Sequence, residues 1–212
     1  MLLVLACATL TACASRIDAM AQTGKVFFQG ESNARTAPAL NPSVRYLRVE
    51  VKQRTLFLAL GYVDSHPLGP IEVWYSGRGE VLRLQNGHVV GLTGTELEWR
   101  QARLSSMPNW PANSSTTSAY SRVRDVMPGY RFGIVDQLVL HSVDAPARSN
   151  LESVTASSLR WFEAREAHAA LPAARFALSA APGANTVVYA EQCFSPTFCL
   201  SWQQWPPVAS SP

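Results

Sequence analysis

An alternation of apolar and polar residues with a period of two constrains the fold of this chain most. In residues 45–51, Leu47, Val49 and Val51 fall on one face of an extended strand and the residues between them on the other. Further along, the pair Asn86-Gly87 separates two strand-like runs. This pair is a strong hairpin signal because both residues tolerate a positive φ. The pattern predicts strands joined as an antiparallel meander.

Other runs extend this prediction along the chain. They predict strands at 55–63, 71–76, 81–84, 88–90, 131–142, 157–162, 186–191 and 199–203. The composition of residues 163–170 favours one short helix. We therefore expect a mainly β fold in which an antiparallel meander forms a sandwich or a partly open barrel, with at most one or two short helices.

The amino terminus resembles the export signal of a bacterial lipoprotein. An apolar run leads into Leu10-Thr11-Ala12-Cys13, which resembles a lipobox, although no Lys or Arg precedes Arg16. Such a run is too short to span a bilayer stably. We expect lipid attachment at Cys13, with Cys7 a weaker acceptor. An ordinary cleaved signal with an incidental cysteine is the alternative.

This interpretation sets the expected boundaries. Residues 1–12 would be a signal peptide, 13–42 a lipidated N-terminus and tether, 43–207 a single β-rich domain, and 208–212 a tail. The residues after Cys13 are Ala14 and Ser15 and not Asp. By resemblance to the enterobacterial sorting rule, they favour the periplasmic face of the outer membrane.

The remaining cysteines are expected to form a disulfide. With Cys7 removed and Cys13 lipidated, Cys193 and Cys199 remain, and the Pro-containing loop between them can bring them within bonding range. An oxidising compartment favours their pairing. A zinc site is disfavoured because no second Cys or His pair lies nearby, and a redox role because the spacing is not C-x-x-C.

Composition and motifs argue against several classes of function. The formal net charge of +3 is too small to indicate a nucleic-acid binder. No P-loop or G-x-S-x-G elbow occurs, and the four histidines lack metal-binding spacing, so we expect no metal, no cofactor and no catalytic residues. A hydrolase remains a weak alternative, with carboxylates at Asp64, Asp125 and Asp136.

Two stretches connect the chain to a known family. The stretch from Trp74 to Gly91 and the motif Pro128-Gly129-Tyr130-Arg131-Phe132-Gly133, with a Trp/Pro-rich end, resemble the YjbF/GfcB family of outer-membrane lipoproteins. The resemblance runs from about Val44 to Pro206. It implies a role in exopolysaccharide or group 4 capsule production, whereas no catalytic residues are carried over.

Binding is therefore the expected activity. Trp110 lies in a Pro-flanked loop where its ring could stack on a sugar, and Arg122, Arg124 and Arg131 could meet an acidic polysaccharide. The opposing interpretation places large aromatics such as Trp74 and Trp161 in the core and the arginines on a solvated face.

Two functional hypotheses follow. In the first, the chain is a non-enzymatic accessory factor in exopolysaccharide or capsule production that is anchored to the membrane by its lipid and binds polysaccharide or capsule-export proteins. In the second, it is a carrier of lipid or lipoproteins, with an apolar cavity inside a half-open barrel. The first predicts a closed core.

Overall fold

A computed structural model describes residues 40–111, 115–168, 170–180 and 185–207. The predicted signal peptide, Cys13, most of the tether and the tail lie outside these residues. Within them, the chain forms β-strands and one three-residue 3₁₀ helix, Ala156–Ser158. The strands are β1 Tyr46–Val51, β2 Arg54–Asp64, β3 Ile71–Tyr75, β4 Val81–Gln85, β5 His88–Thr93, β6 Glu98–Leu104, β7 Thr117–Met127, β8 Arg131–Val143, β9 Leu159–Glu166, β10 Ala174–Ser179, β11 Val187–Ser195 and β12 Phe198–Trp205.

These strands form one closed antiparallel barrel. Each strand pairs with its neighbours in sequence, and the first and last strands close the ring, with Tyr46 opposite Trp205 and Val51 opposite Leu200. The expectation of a mainly β antiparallel fold is confirmed, and the barrel is closed where the sequence left a sandwich or a partly open barrel as alternatives. The prediction of a short helix at residues 163–170 is wrong, because β9 runs to Glu166 and pairs with β8 and β10.

The lumen of the barrel is filled by side chains. Large residues that are nearly inaccessible to solvent lie there, including Trp74, Trp99, Phe162, Phe176 and Phe194. The prediction that Trp74 and Trp161 are core residues is confirmed, since each is buried. Trp161, however, packs on the outer surface of the barrel with Ala177 and Tyr189.

A strap, residues 144–158, covers this outer cluster. The backbone N–H of Asn150 donates to the Tyr189 hydroxyl at 2.9 Å, and Glu152 N–H donates to Gln203 Oε1 at 2.9 Å. The Trp161 indole N–H donates to the carbonyl of Ala156 at 2.7 Å. These bonds satisfy polar groups that would otherwise be left buried without a partner.

Among the described residues, no helix has the length and apolar character needed to cross a lipid bilayer.

Candidate functional site

Arg122 and Arg124, predicted as contacts for glycan or a partner, lie inside the barrel. Each is about 6% exposed, and both project from β7 on the same face as the buried Tyr120 and Val126. The prediction that they face a surface ligand is wrong, because the period of two along β7 turns them inward. Asp136 of the neighbouring β8 is fully buried and faces them.

A single carboxylate therefore binds two guanidinium groups. Asp136 Oδ2 accepts from Arg122 Nε and from Arg124 Nε, each at 2.8 Å, and Oδ1 accepts from Arg124 at 3.0 Å. The ring of Trp99 lies beside both cations, 4.4 Å from Arg122 Cζ and 5.3 Å from Arg124 Cζ. Burial lowers the pKa of Arg122, and the Asp136 carboxylate opposes that shift. This cluster is structural, because its members satisfy one another within the core.

Trp110, predicted as an exposed sugar platform, instead packs into the end of the barrel. Its ring stacks on His88 with a centroid distance of 5.5 Å and an interplanar angle of 9°. It also contacts Phe162 and Phe176, with centroids 5.2 Å and 5.5 Å away. The prediction that Trp110 is a free platform is wrong, because its ring packs onto the barrel core and is partly buried against these aromatics.

His88, on which the Trp110 ring stacks, also lines a small cavity in the barrel. The cavity has a volume of about 20 Å³, and Arg122, Glu166 and Gln192 also line it. Burial lowers the pKa of His88 to about 3, and the nearby Arg122 cation adds to the shift. A cavity of this size accommodates a water molecule and not an acyl chain.

Arg131 has a different environment at the β7–β8 turn. The neighbouring rings of Tyr130 and Phe132 are 77% and 61% exposed, the highest values among the large exposed apolar residues described. Arg131 is itself exposed, and its side chain forms no ion pair or hydrogen bond with another residue of the described ranges. We call Tyr130, Arg131 and Phe132 the hairpin tip. It joins one guanidinium to two exposed aromatic rings.

The backbone of the hairpin tip is fixed in an uncommon conformation. Tyr130 has a φ of 52°, in the left-handed region that a bulky side chain rarely adopts. Gly129 and Gly133 on either side have φ values of 100° and 66°. The N–H of Gly133 donates to Asp125 Oδ1 at 2.8 Å and ties the base of the turn to β7.

A surface groove lies at the opposite end of β8, beside the strap. Its volume is about 330 Å³, and its lining includes hydroxyl groups, the Asp144 carboxylate and the Arg160 guanidinium. Arg160 donates to Asn185 Oδ1 at 3.3 Å. The two aromatic residues of the lining, Trp161 and Phe162, are at most 2% exposed. The groove thus offers hydrogen-bonding groups but no exposed ring face.

The other predicted residues fall as follows. Cys193 and Cys199 form a disulfide across β11 and β12, which confirms their pairing. Asp136 is bound to two arginines and is not available as a catalytic acid or base. The described residues contain no cluster of His, Cys, Asp and Glu suited to a metal ion.

Sequence reasoning missed Tyr130 and Phe132. Both belong to the motif that carries the family resemblance, in which Arg131 alone was predicted as a contact. Their signal was present, because two aromatics flanking an arginine directly after Pro-Gly lie where a turn exposes its side chains.

Comparisons with known proteins bear on the fold. No family model matches the sequence, and no curated protein matches it. Among solved structures, the chain is similar to the hypothetical lipoprotein YmcC from Escherichia coli K12, with 15% identity and a TM-score of 0.55. The alignment covers 95% of this chain and 99% of that chain. At this identity, the likeness establishes a shared fold.

Proposed function

We propose that this chain is a lipid-anchored, non-enzymatic accessory factor of the YjbF/GfcB type that acts in exopolysaccharide or capsule production at the periplasmic face of the outer membrane. It would bind glycan or a protein of the secretion apparatus. The observation that carries the proposal is the end-to-end likeness of its fold to a protein described as a lipoprotein. The lipobox-like Leu10-Thr11-Ala12-Cys13 supports the same anchor.

The packing of the barrel favours this function over that of a lipid carrier. A carrier requires an apolar cavity large enough for acyl chains, on the scale of the few hundred Å³ that small-molecule pockets have. Here aromatic and aliphatic side chains fill the lumen, and the cavity lined by His88 measures about 20 Å³. Binding would therefore take place on the outer surface, where the hairpin tip and the groove lie.

Deletion of the gene tests the proposal. We expect loss or reduction of surface polysaccharide, restored by the wild-type gene but not by Cys13→Ala, because an unanchored protein leaves the membrane. Mass spectrometry of the mature protein should find acyl chains on Cys13. Unchanged polysaccharide in the deletion strain would refute the proposed role, and an intact Met1 would refute the anchor.

A separate assay tests the proposal that the protein is not an enzyme. Purified protein incubated with the polysaccharide of its host should release no new reducing ends. Release that is lost on substitution of an acidic residue would establish a hydrolase instead.

A further inference from the structure

We propose that the hairpin tip, Tyr130, Arg131 and Phe132, is a binding site for an anionic glycan, in which sugar rings stack on the two aromatic rings and a sugar carboxylate binds the guanidinium. This inference rests on the proposed function, because it assumes that the chain meets polysaccharide. It adds the class of ligand and the residues that recognise it.

The exposure of the two rings is the first support. Tyr130 is 77% and Phe132 61% exposed at the end of a long hairpin, whereas Trp74, Trp99, Trp161 and Trp202 are buried. Apolar rings gain free energy when they leave water, so exposed neighbouring aromatics often mark a recognition surface. These four tryptophans are thus used for packing, whereas the hairpin tip presents its rings to solvent.

The backbone is the second support. Tyr130 holds a φ of 52°, where glycine would be unstrained. A bulky residue in the left-handed region is retained against a conformational cost, and such strain concentrates at functional sites. The hydrogen bond from Gly133 N–H to Asp125 Oδ1 holds the turn, so that the rings are presented by a fixed backbone.

The positive charge of the hairpin tip indicates that its ligand is an anion. Arg131 has no ion-pair partner among the described residues, and the nearby Asp125 accepts a hydrogen bond from the Gly133 backbone. A guanidinium binds a carboxylate with two parallel hydrogen bonds. Arg122 and Arg124 cannot serve this purpose, because Asp136 binds both inside the barrel.

A lipid surface fits these observations less well. Recognition of anionic headgroups relies on clusters of several lysines and arginines. The tip carries a single arginine between its rings. One guanidinium with two stacking faces matches a chain of sugar rings that bears an occasional carboxylate.

The experiment measures binding of the full-length mature protein, in detergent, to polygalacturonate, to neutral dextran and to phosphatidylglycerol vesicles. We expect at least tenfold tighter binding to polygalacturonate than to dextran. Arg131→Gln and Tyr130→Gly should each weaken that binding at least fivefold. The matched controls Arg103→Gln and Tyr62→Ala, which alter an exposed arginine and an exposed tyrosine elsewhere on the barrel, should leave it unchanged.

Tyr130→Gly also separates recognition from folding. Because glycine relieves the left-handed strain, the melting temperature of this variant should equal or exceed that of the wild type while binding is lost. A lower melting temperature would make Tyr130 a structural residue and overturn the proposal. Equal binding to both polymers, unchanged binding in the tip variants, or tip-dependent binding to the vesicles alone would also overturn it.

This result is distinguishable from the test of the proposed function. If the deletion strain loses polysaccharide but the tip variants bind and complement normally, the inference about the tip fails and the accessory role stands. If the deletion strain keeps its polysaccharide, the accessory role fails whatever the purified protein binds.

Discussion

Asp136 is the residue that makes the polar interior of the barrel possible. Its carboxylate is fully buried and accepts hydrogen bonds from both Arg122 and Arg124. Taking charged groups out of water is unfavourable unless each is paired. Two cations with one anion leave the cluster dependent on this side chain, and the ring of Trp99 provides the nearest further stabilisation, through its π face.

Replacing Asp136 should therefore be strongly destabilising. We expect Asp136→Asn to lower the free energy of unfolding by about 3–5 kcal/mol, because it leaves two buried guanidiniums without a counter-charge. Denaturant titration followed by tryptophan fluorescence measures the change. Asp144→Asn, at an exposed carboxylate with no partner among the described residues, is the control and should change stability by less than about 0.5 kcal/mol. Similar effects of the two substitutions would contradict the assignment of Asp136.

His88 couples the stability of the barrel to pH. Its pKa falls from 6.5 to about 3 on folding because of burial and the Arg122 cation. Between these values the unfolded state binds more protons than the folded state, so the free energy of unfolding decreases as the pH drops through this range. The slope contributed by this group is at most about 1.4 kcal/mol per pH unit.

The pH dependence can be assigned to His88 by substitution. We expect His88→Gln to flatten the loss of stability between pH 6.5 and 5, a range in which carboxylates titrate little. His168→Gln, at an exposed histidine, should leave the wild-type slope unchanged. Equal slopes for the wild type and His88→Gln would show that another group carries the dependence.

At the scale of elements, the β4–β5 hairpin has a role beyond that of a turn. Asn86 and Gly87 have φ values of 47° and 81°, as the sequence signal predicts. The turn also packs against the opposite wall, where a Cβ on Gly87 would lie 2.6 Å from Val187 Cβ. Gly87 is thus required both by the backbone conformation and by close contact with β11.

Substitutions at two glycines separate the cost of the backbone conformation from the cost of the close contact. Gly87→Ala should combine the strain of a positive φ with a clash against Val187 and lower the free energy of unfolding by about 2–4 kcal/mol. Gly79→Ala has the strain alone, since its φ is 96° and nothing lies within 4 Å of the added Cβ. It should cost about 1–2 kcal/mol. Thermal unfolding monitors both, and equal losses would show that the contact with Val187 is unimportant.

At the scale of the whole molecule, closure of the barrel decides which surfaces are available. The last strand pairs with the first, and most of the interior is a packed core. Within the described residues, a ligand larger than a water molecule would therefore bind on the outer surface, which includes the turns, the strap and the groove. Aromatic residues between strands can lie on either side of this boundary. The hairpin tip presents its rings to solvent, whereas the ring of Trp110 packs onto the lumen.

The sequence by itself determined the features that depend on neighbouring residues. The strand patterns predicted β1 to β5, β8, β9, β11 and β12, but not β6, β7 or β10. Asn86-Gly87 predicted a hairpin, and Cys193 and Cys199 were near enough in sequence to pair. Only the tertiary structure decided which face of β7 turned inward and whether Trp110 was covered. Arginine in a strand usually faces water, and it lies inside here because Asp136, on the neighbouring strand β8, supplies its counter-charge. Burial depends on partners that strand pairing and barrel closure bring together, and local periodicity does not specify those partners.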